Sequence, residues 1–441
     1  MNFYQGKYEA KILVISNNPF SEIKNNGKTL ASFFDTYQVE NIAQIYFSIE
    51  KPDSRRYLKY YQISDIDVMK TFFNRMTKCG SVIPYSFFKS EIQQKNCNDK
   101  CVMGHKLLNL IKKSNFFRIV RELIWKKAQW KTNELDQWIK TFSPDIVFFC
   151  AGDSGFAYDI TEYICNEYNT KLVVYITDDY ILARNTCNLF WWCRRNYILA
   201  KMKKIVKRSD LFLTISNQMK ETYKKIFNKD SIVVMNMTES LLDKSVSSNN
   251  NEIRLIYAGG LHYKRCETLA LLIKAIIKSN ENNVRQAFLK IYSNTIPDKS
   301  LISQLTFEGA SEFCGALNLD ELKKEYNKSD ILVHVESFNT KSIESTRLSI
   351  STKISEYLSL GKPILAIGPA NIASMEYLKD IAYCITDKRL IEGSFITFIF
   401  NESLKNDLAQ KAIVKYNNCH FKSVVALNLR KRMNDLIISF L

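Results

Sequence analysis

The chain has 441 residues, of which 46% are hydrophobic and 24% charged. That is enough apolar material for two or three cored domains at roughly 100–200 residues each, and it excludes a disordered or low-complexity protein. The formal net charge is +17, with 37 basic and 25 acidic residues up to position 245 (net +12) against 25 and 20 after it (net +5). A basic field concentrated in the first half favours anionic partners: phosphates, nucleic acid or an anionic membrane. The opening MNFYQGKYEAKILVIS has no apolar stretch ahead of a small-residue cleavage site, so no signal peptide is expected. No run reaches the ~18 apolar residues of a spanning helix. Eleven scattered cysteines without a C-x-x-C fit reduced thiols in a cytoplasmic protein.

In chain order, KILVIS (11–16) is a short continuous apolar run and predicts a buried parallel strand. A polar stretch with Asn17, Asn18, Pro19 and Gly27 follows, and KTLASFFDTY then predicts a helix. Further strands are expected in PDIVFFCAG (144–152), KLVVYITDD (171–179) and DLFLTIS (210–216), separated by helical patterns such as ITEYICNEY. SVSSNNNE (245–252) has linker composition. The pattern then restarts with IRLIYAGG (253–260), FLKIYSN (288–294), DILVHVES (330–337) and PILAIG (363–368). Strands alternating with helices at this spacing predict βαβ units. The expected organisation is an α/β domain over 1–240, a linker over 241–252, a second α/β domain over 253–415, and a C-terminal helix over 416–441 packing back on the first domain.

Ligands of open parallel sheets bind beyond the carboxyl ends of the strands. Four segments there carry distinctive chemistry: Asn17–Gly27, Asp178-Asp179, Gly259–Arg265 and Ser337–Lys353. The run STKISEYLSLGKPILAIG (351–368) predicts a short helix with Ser351 or Thr352 as its cap and Gly361 in a left-handed C-terminal position. Ile354, Tyr357 and Leu358 would face the core. Lys353 and Glu356, three residues apart, have two readings. One is a solvated ion pair worth ~0.2–0.5 kcal/mol. The other is a ligand site in which Lys353 and the helix start meet a diphosphate, and the carboxylate accepts two ribose hydroxyls.

The run STKISEYLSLGKPILAIGPANIASMEYL resembles the donor-site segment of family 4-type glycosyltransferases, which have the GT-B fold of two Rossmann-like, doubly wound domains facing an interdomain cleft. The resemblance implies that Glu356 holds the donor ribose. YAGGLHYKRCETLALLIKAI is similar to the family's glycine-containing strand end, which implies Gly260 and Lys264 at the donor diphosphate. ISNNPFSEIKNNGKTLASFF resembles its first-strand loop and implies Gly27 near the phosphates and the acceptor. FCGALNLDELKKEYNKSDILVHVESF resembles its base-binding segment and implies backbone contacts at Gly315 and Ala316. Leu348 stands where many members carry a first Glu, so that carboxylate is missing or displaced to Glu344 or Glu336. Gly260 stands where many carry Arg, and Arg265 or Arg347 would supply that charge.

Asp178 and Asp179 either cap the segment that follows or orient an acceptor hydroxyl; the family's usual His is missing there. Gly27-Lys28-Thr29 is not a phosphate-binding P-loop, because Glu22 occupies the position of the earlier glycine. Cys97, Cys101 and His105 lack a clear fourth ligand, and His334 fits a core histidine. No metal and no cofactor are expected. NLFWWCRRNYILAKMKKIVKR (188–208) is either a packed helix with a solvated basic face or an interfacial helix. In the second case Trp191 and Trp192 enter the headgroups and Arg194, Arg195, Lys203 and Lys204 meet anionic lipid.

The resemblance implies a retaining glycosyltransferase that moves a sugar from a nucleotide-sugar, a UDP-sugar, to a glycan or lipid-linked acceptor in bacterial surface polysaccharide synthesis. Its expected place is the cytoplasm, peripheral on the inner face of the membrane, with no nucleic-acid partner. Two alternatives stay open: a weakly active sugar-nucleotide-binding subunit of a glycosyltransferase complex, and a GT-B UDP-sugar epimerase.

Overall fold

The computed structural model describes residues 9–22, 25–54, 56–74, 77–84, 114–242, 252–281, 283, 286–295 and 297–438. The Cys97, Cys101 and His105 group lies outside them, as does most of the 241–252 linker. The chain forms two compact units. Unit 1 takes the residues up to Ile215, Lys220–Val234 and those from Ala426 on; unit 2 takes Ser216–Met219 and Met235–Val425.

Unit 1 is built on an eight-stranded sheet ordered β4-β3-β2-β1-β5-β6-β7-β8. Its strands are β1 Ile12–Ser16, β2 Ile42–Tyr46, β3 Tyr60–Gln62, β4 Ser81–Val82, β5 Ile146–Ala151, β6 Lys171–Ile176, β7 Leu211–Thr214 and β8 Ile232–Val233. All neighbours are parallel except β3 and β4. Every residue of β1 is buried, with Ile12 level with Ile42 on one side and Ile146 on the other. A strand covered on both faces needs an unbroken apolar run, which is why KILVIS was legible. β2 (IAQIY) has no unbroken apolar run, because Gln44 interrupts it. That side chain is fully buried and satisfied, donating to Ser16 Oγ at 2.8 Å and accepting from Phe20 N at 2.9 Å. The last helix, Lys422–Ile438, packs on this unit through Arg430, which bonds Glu9 and the Thr36 carbonyl and lies over the Tyr37 ring.

Unit 2 is built on a six-stranded, wholly parallel sheet ordered β11-β10-β9-β12-β13-β14. Its strands are β9 Glu252–Ala258, β10 Gln286–Tyr292, β11 Ser311–Gly315, β12 Ile331–Val335, β13 Ile364–Ile367 and β14 Tyr383–Ile385. The chain runs outward from β9 to β11, returns, and runs outward the other way from β12 to β14. The order therefore reverses between β9 and β12, the topological switch point of a doubly wound sheet. The core packs Leu255, Leu289, Ile291, Val333 and Leu365 against Leu269, Leu272 and Ile276 of the helix Arg265–Glu281. Each such side chain contributes ~1.5–3 kcal/mol by burial.

The helix expected over KTLASFFDTY starts earlier and ends sooner, at Asn25–Ser32. Gly27 thus sits in its first turn rather than in the loop. A Cβ there would lie 2.5 Å from the Pro19 carbonyl oxygen, so only glycine lets the loop after β1 fold onto this helix.

Candidate functional site

The loops that follow β9 and β12 flank the switch point of unit 2. After β9 come Gly259, Gly260, Leu261 and His262, then Tyr263 and Lys264, both left-handed at φ +57°. Two consecutive non-glycine residues in that region store strain, which the surroundings must hold. They are held on both sides. Tyr257 donates its hydroxyl to the Gly260 carbonyl at 2.8 Å, and His262 Nε2 meets Thr295 Oγ1 at 3.2 Å. Beyond the turn, Arg265 grips Glu336, the first residue after β12, through Nε at 3.1 Å and Nη2 at 2.9 Å to each carboxylate oxygen. Thr268 Oγ1 donates to the Glu336 carbonyl, and a Cβ on Gly368 would fall 2.8 Å from that of Glu336. Glycine at the end of β13 therefore makes room for the carboxylate.

The Arg265–Glu336 pair is buried, with side chains 18% and 3% exposed. Burial pushes the Glu336 carboxyl up, and Arg265 opposes that rise. His334, two residues earlier on β12, is buried as expected, its Nε2 3.5 Å from Glu336 Oε1 and without a hydrogen bond. Burial, and then Arg265, lower its pKa to about 3, so it is neutral.

The helix Lys353–Ser359 lies beside the end of β9, because the Tyr357 hydroxyl accepts from the Ala258 N–H at 3.0 Å. Ile354, Tyr357 and Leu358 face the core as their spacing predicts, and Gly361 adopts φ +57° just past the helix. The expected side-chain cap is not formed: Thr352 is itself helical, and Ser351 Oγ accepts only from Lys353 N at 3.4 Å. On the half-buried flank, Glu356 Oε2 takes Lys353 Nζ at 2.8 Å and the Tyr326 hydroxyl at 3.3 Å. Lys264 is 55% exposed and meets Glu267 at 3.1 Å.

Each of these three cations already has a carboxylate. The pairs of Lys264 and Lys353 are i,i+3 contacts worth a few tenths of a kcal/mol and can exchange for a ligand. Breaking the buried, bidentate Arg265 pair would cost ~3–5 kcal/mol. Gly315 (φ +78°) ends β11, and Ala316 beside it is exposed. Leu348 is buried, and its carbonyl accepts from Ser216 Oγ at 2.9 Å. Arg347 and Glu344 are half-buried nearby in sequence.

In unit 1, Asp178 and Asp179 follow β6. Asp179 is buried and its Oδ1 accepts from Ile181 N at 3.1 Å and Leu182 N at 2.9 Å, the capping role. Asp178 is exposed and takes the Tyr180 hydroxyl at 3.4 Å. The order of this sheet reverses between β1 and β5, and after β5 comes Asp153. Arg118 bonds it at 2.6 Å and Arg194 at 2.5 Å. Sequence reading passed over this cluster, for no spacing links residues 118, 153 and 194. A cavity of about 550 Å³ in unit 1, lined by Trp125, Phe156, Lys126 and Lys201, holds none of the expected site residues. In the helix Leu189–Arg208, Arg194 is taken by Asp153, Arg195 donates to the Ile181 carbonyl, and Trp192 Nε1 donates to the Thr186 carbonyl. The most exposed apolar side chains of this helix are Leu189 (76% exposed) and Phe190 (49%), the latter against Phe116, with Tyr197 exposed further along. Among the described residues no helix is long and apolar enough to cross a membrane, and no group of three or more His, Cys, Asp and Glu could hold a metal ion.

No protein-family model matches the sequence, and no curated protein does. Solved structures do match over almost the whole chain. A glycosyltransferase from Rickettsia africae ESF-5 aligns over 98% of this chain and 99% of its own, at TM-score 0.59 and 12% identity. WaaG, a glycosyltransferase involved in lipopolysaccharide biosynthesis, aligns over 97% and 99%, at 0.57 and 11%. A trehalose-6-phosphate protein from E. coli, solved with UDP-2-fluoro glucose, aligns over 95% and 98%, at 0.57 and 8%. With two Rossmann-like units of this strand order, the chain has the GT-B fold.

Proposed function

We propose that the chain is a glycosyltransferase that moves a sugar from a nucleotide-sugar, a UDP-sugar, to a glycan or lipid-linked acceptor, with retention at the anomeric carbon. The observation that carries this reading is the grouping of Glu356, Lys353 and the Gly259–Arg265 loop at the carboxyl end of β9, joined by the Tyr357–Ala258 bond. In this reading Glu356 exchanges Lys353 for the ribose hydroxyls, since an ionised carboxylate accepts two donors. Lys353 and Lys264 then face the diphosphate. Gly260 lets the backbone approach, Ser351 and Thr352 line the entry, Arg347 adds charge, and Gly315 and Ala316 meet the base. In unit 1, Asp178 rather than the capped Asp179 orients the acceptor.

The bond from the anomeric carbon to the phosphate oxygen breaks as the acceptor oxygen bonds to the same face. The acceptor proton passes to the departing phosphate oxygen, so no separate base is required. Negative charge grows on the diphosphate, and Lys264 stabilises it most where it is greatest. The likeness to WaaG supports bacterial surface-polysaccharide synthesis as the setting. The net charge of +17 together with exposed Leu189 and Phe190 supports peripheral attachment to an anionic membrane face in the cytoplasm.

The buried Leu348, where a carboxylate is common, favours a second reading: a nucleotide-sugar-binding subunit that supports an active partner. A panel of nucleotide-sugars in thermal shift separates them, since a ligand at 100 Kd adds ~2.7 kcal/mol. Stabilisation by a UDP-sugar, with UDP released when a glycan acceptor is added, supports the transferase. Stabilisation without turnover supports the subunit, and no stabilisation by any nucleotide-sugar ends both.

A further inference from the structure

Glu336 offers a carboxylate at the switch point, and the family resemblance made it one candidate for the displaced first carboxylate. Its surroundings give it a different task. It is 2% exposed, and both its oxygens are held by one guanidinium. Its backbone is fixed as well: the N–H donates to the Ile367 carbonyl at 2.8 Å and the carbonyl accepts from Thr268. Arg265 follows directly on two left-handed residues, Tyr263 and Lys264. A turn that costs free energy at both positions relaxes unless its far end is anchored. The near end is tied by Tyr257 and His262; the far end is tied by Arg265 to Glu336, across the switch point. Nη1 of Arg265 makes no hydrogen bond among the described residues, so one edge of the fork stays available to an anion.

We infer that Glu336 is a positioning residue for anion binding: it fixes the Arg265 fork so that the strained turn presents Lys264, and Arg265 presents Nη1, to a phosphate group. This rests on the reading of unit 2 as the nucleotide-sugar site. The neighbouring His334 fits the same role, because an uncharged ring leaves the carboxylate to Arg265 alone.

The test uses the full chain. UDP, GDP and ADP are screened by thermal shift; the best of them and its nucleoside are then titrated calorimetrically against the wild type and Glu336→Gln. Glutamine keeps the shape and loses the charge that fixes the fork. The expected result is diphosphate affinity at least tenfold weaker, with nucleoside affinity within twofold of wild type. Equal diphosphate affinity in both proteins overturns the inference. So does a parallel loss of diphosphate and nucleoside binding, which marks a pair that only supports the fold. If Glu336→Gln does not fold, Arg265→Lys is read by the same criteria, since lysine keeps the charge and loses the fork. A wild type that binds none of the diphosphates removes the nucleotide-site reading and this inference with it. A wild type that binds while the variants match it removes only this inference.

Discussion

The Tyr357 hydroxyl accepts a hydrogen bond from the Ala258 N–H across 99 residues of sequence. Ala258 is the last residue of β9, and Tyr357 follows Glu356 on its helix. One bond thus sets the expected ribose carboxylate beside the glycine loop. The ring is fully buried and lies edge-on to Tyr326 at 5.6 Å, and the Tyr326 hydroxyl bonds Glu356 in turn.

Replacing Glu356 by Ala removes a charge-assisted acceptor at the half-buried flank. UDP affinity should fall by about 1.5–3 kcal/mol, roughly 10–150-fold, in calorimetry, with the melting temperature nearly unchanged. Tyr326→Phe, which removes one orienting bond, should cost only a few-fold. Unchanged UDP affinity in Glu356→Ala would leave Glu356 with its ion pair alone.

Lys264 combines strain with charge, and two variants separate these. Lys264→Ala and Lys264→Gly should both lower the turnover number more than they lower nucleoside affinity, because the charge is needed most in the transition state. Only glycine relieves φ +57°. Lys264→Gly should therefore be more stable than Lys264→Ala by about 1 kcal/mol in urea unfolding. Wild-type turnover in either variant would remove Lys264 from the reaction.

His420 is buried in unit 2, with Nδ1 donating to the Asn236 carbonyl at 2.6 Å and Nε2 accepting the Tyr377 hydroxyl at 2.7 Å. Burial lowers its pKa from 6.5 to about 4. Between those values the unfolded chain binds the proton that the folded chain refuses, so stability rises with pH there and is lost as pH falls from 6.5 toward 4. His334, lowered to about 3, acts in the same direction. His420→Leu should be less stable at pH 7. Its stability curve between pH 6.5 and 4 should be shallower than that of the wild type by up to about 1.4 kcal/mol per pH unit in urea unfolding, His334 still contributing in both.

Membrane attachment should depend on Leu189 and Phe190 more than on the tryptophans. Flotation with anionic vesicles at low salt should fall for Leu189→Ser/Phe190→Ser, and less for Trp191→Ala/Trp192→Ala, whose second ring is tied to Thr186. Added salt should weaken attachment, because charges more than ~8–10 Å from the surface are screened. A protein that ignores anionic vesicles at low salt has a purely structural helix here.

The sequence by itself determined the central strands, since β1, β5, β6, β9, β12 and β13 are buried on both faces and must be nearly all apolar. It also determined the end of the Lys353–Ser359 helix, where a glycine is written into the chain at the one position that turns left-handed. It did not show β3 or β14, three residues each, or β2 with its buried Gln44, because short or mixed runs have no period to read. It brought Lys353 and Glu356 together, since they are a turn apart on one helix. Tertiary structure alone decided that Asp179 closes its own turn, that Arg265 is held by a carboxylate 71 residues away, and that Leu189 and Phe190 are the most exposed apolar side chains of the 189–208 helix. Local spacing fixes which side chains can share a helix face or a turn. Which carboxylate a cation finds across a sheet is fixed by strand order, and that emerges only when the whole unit packs.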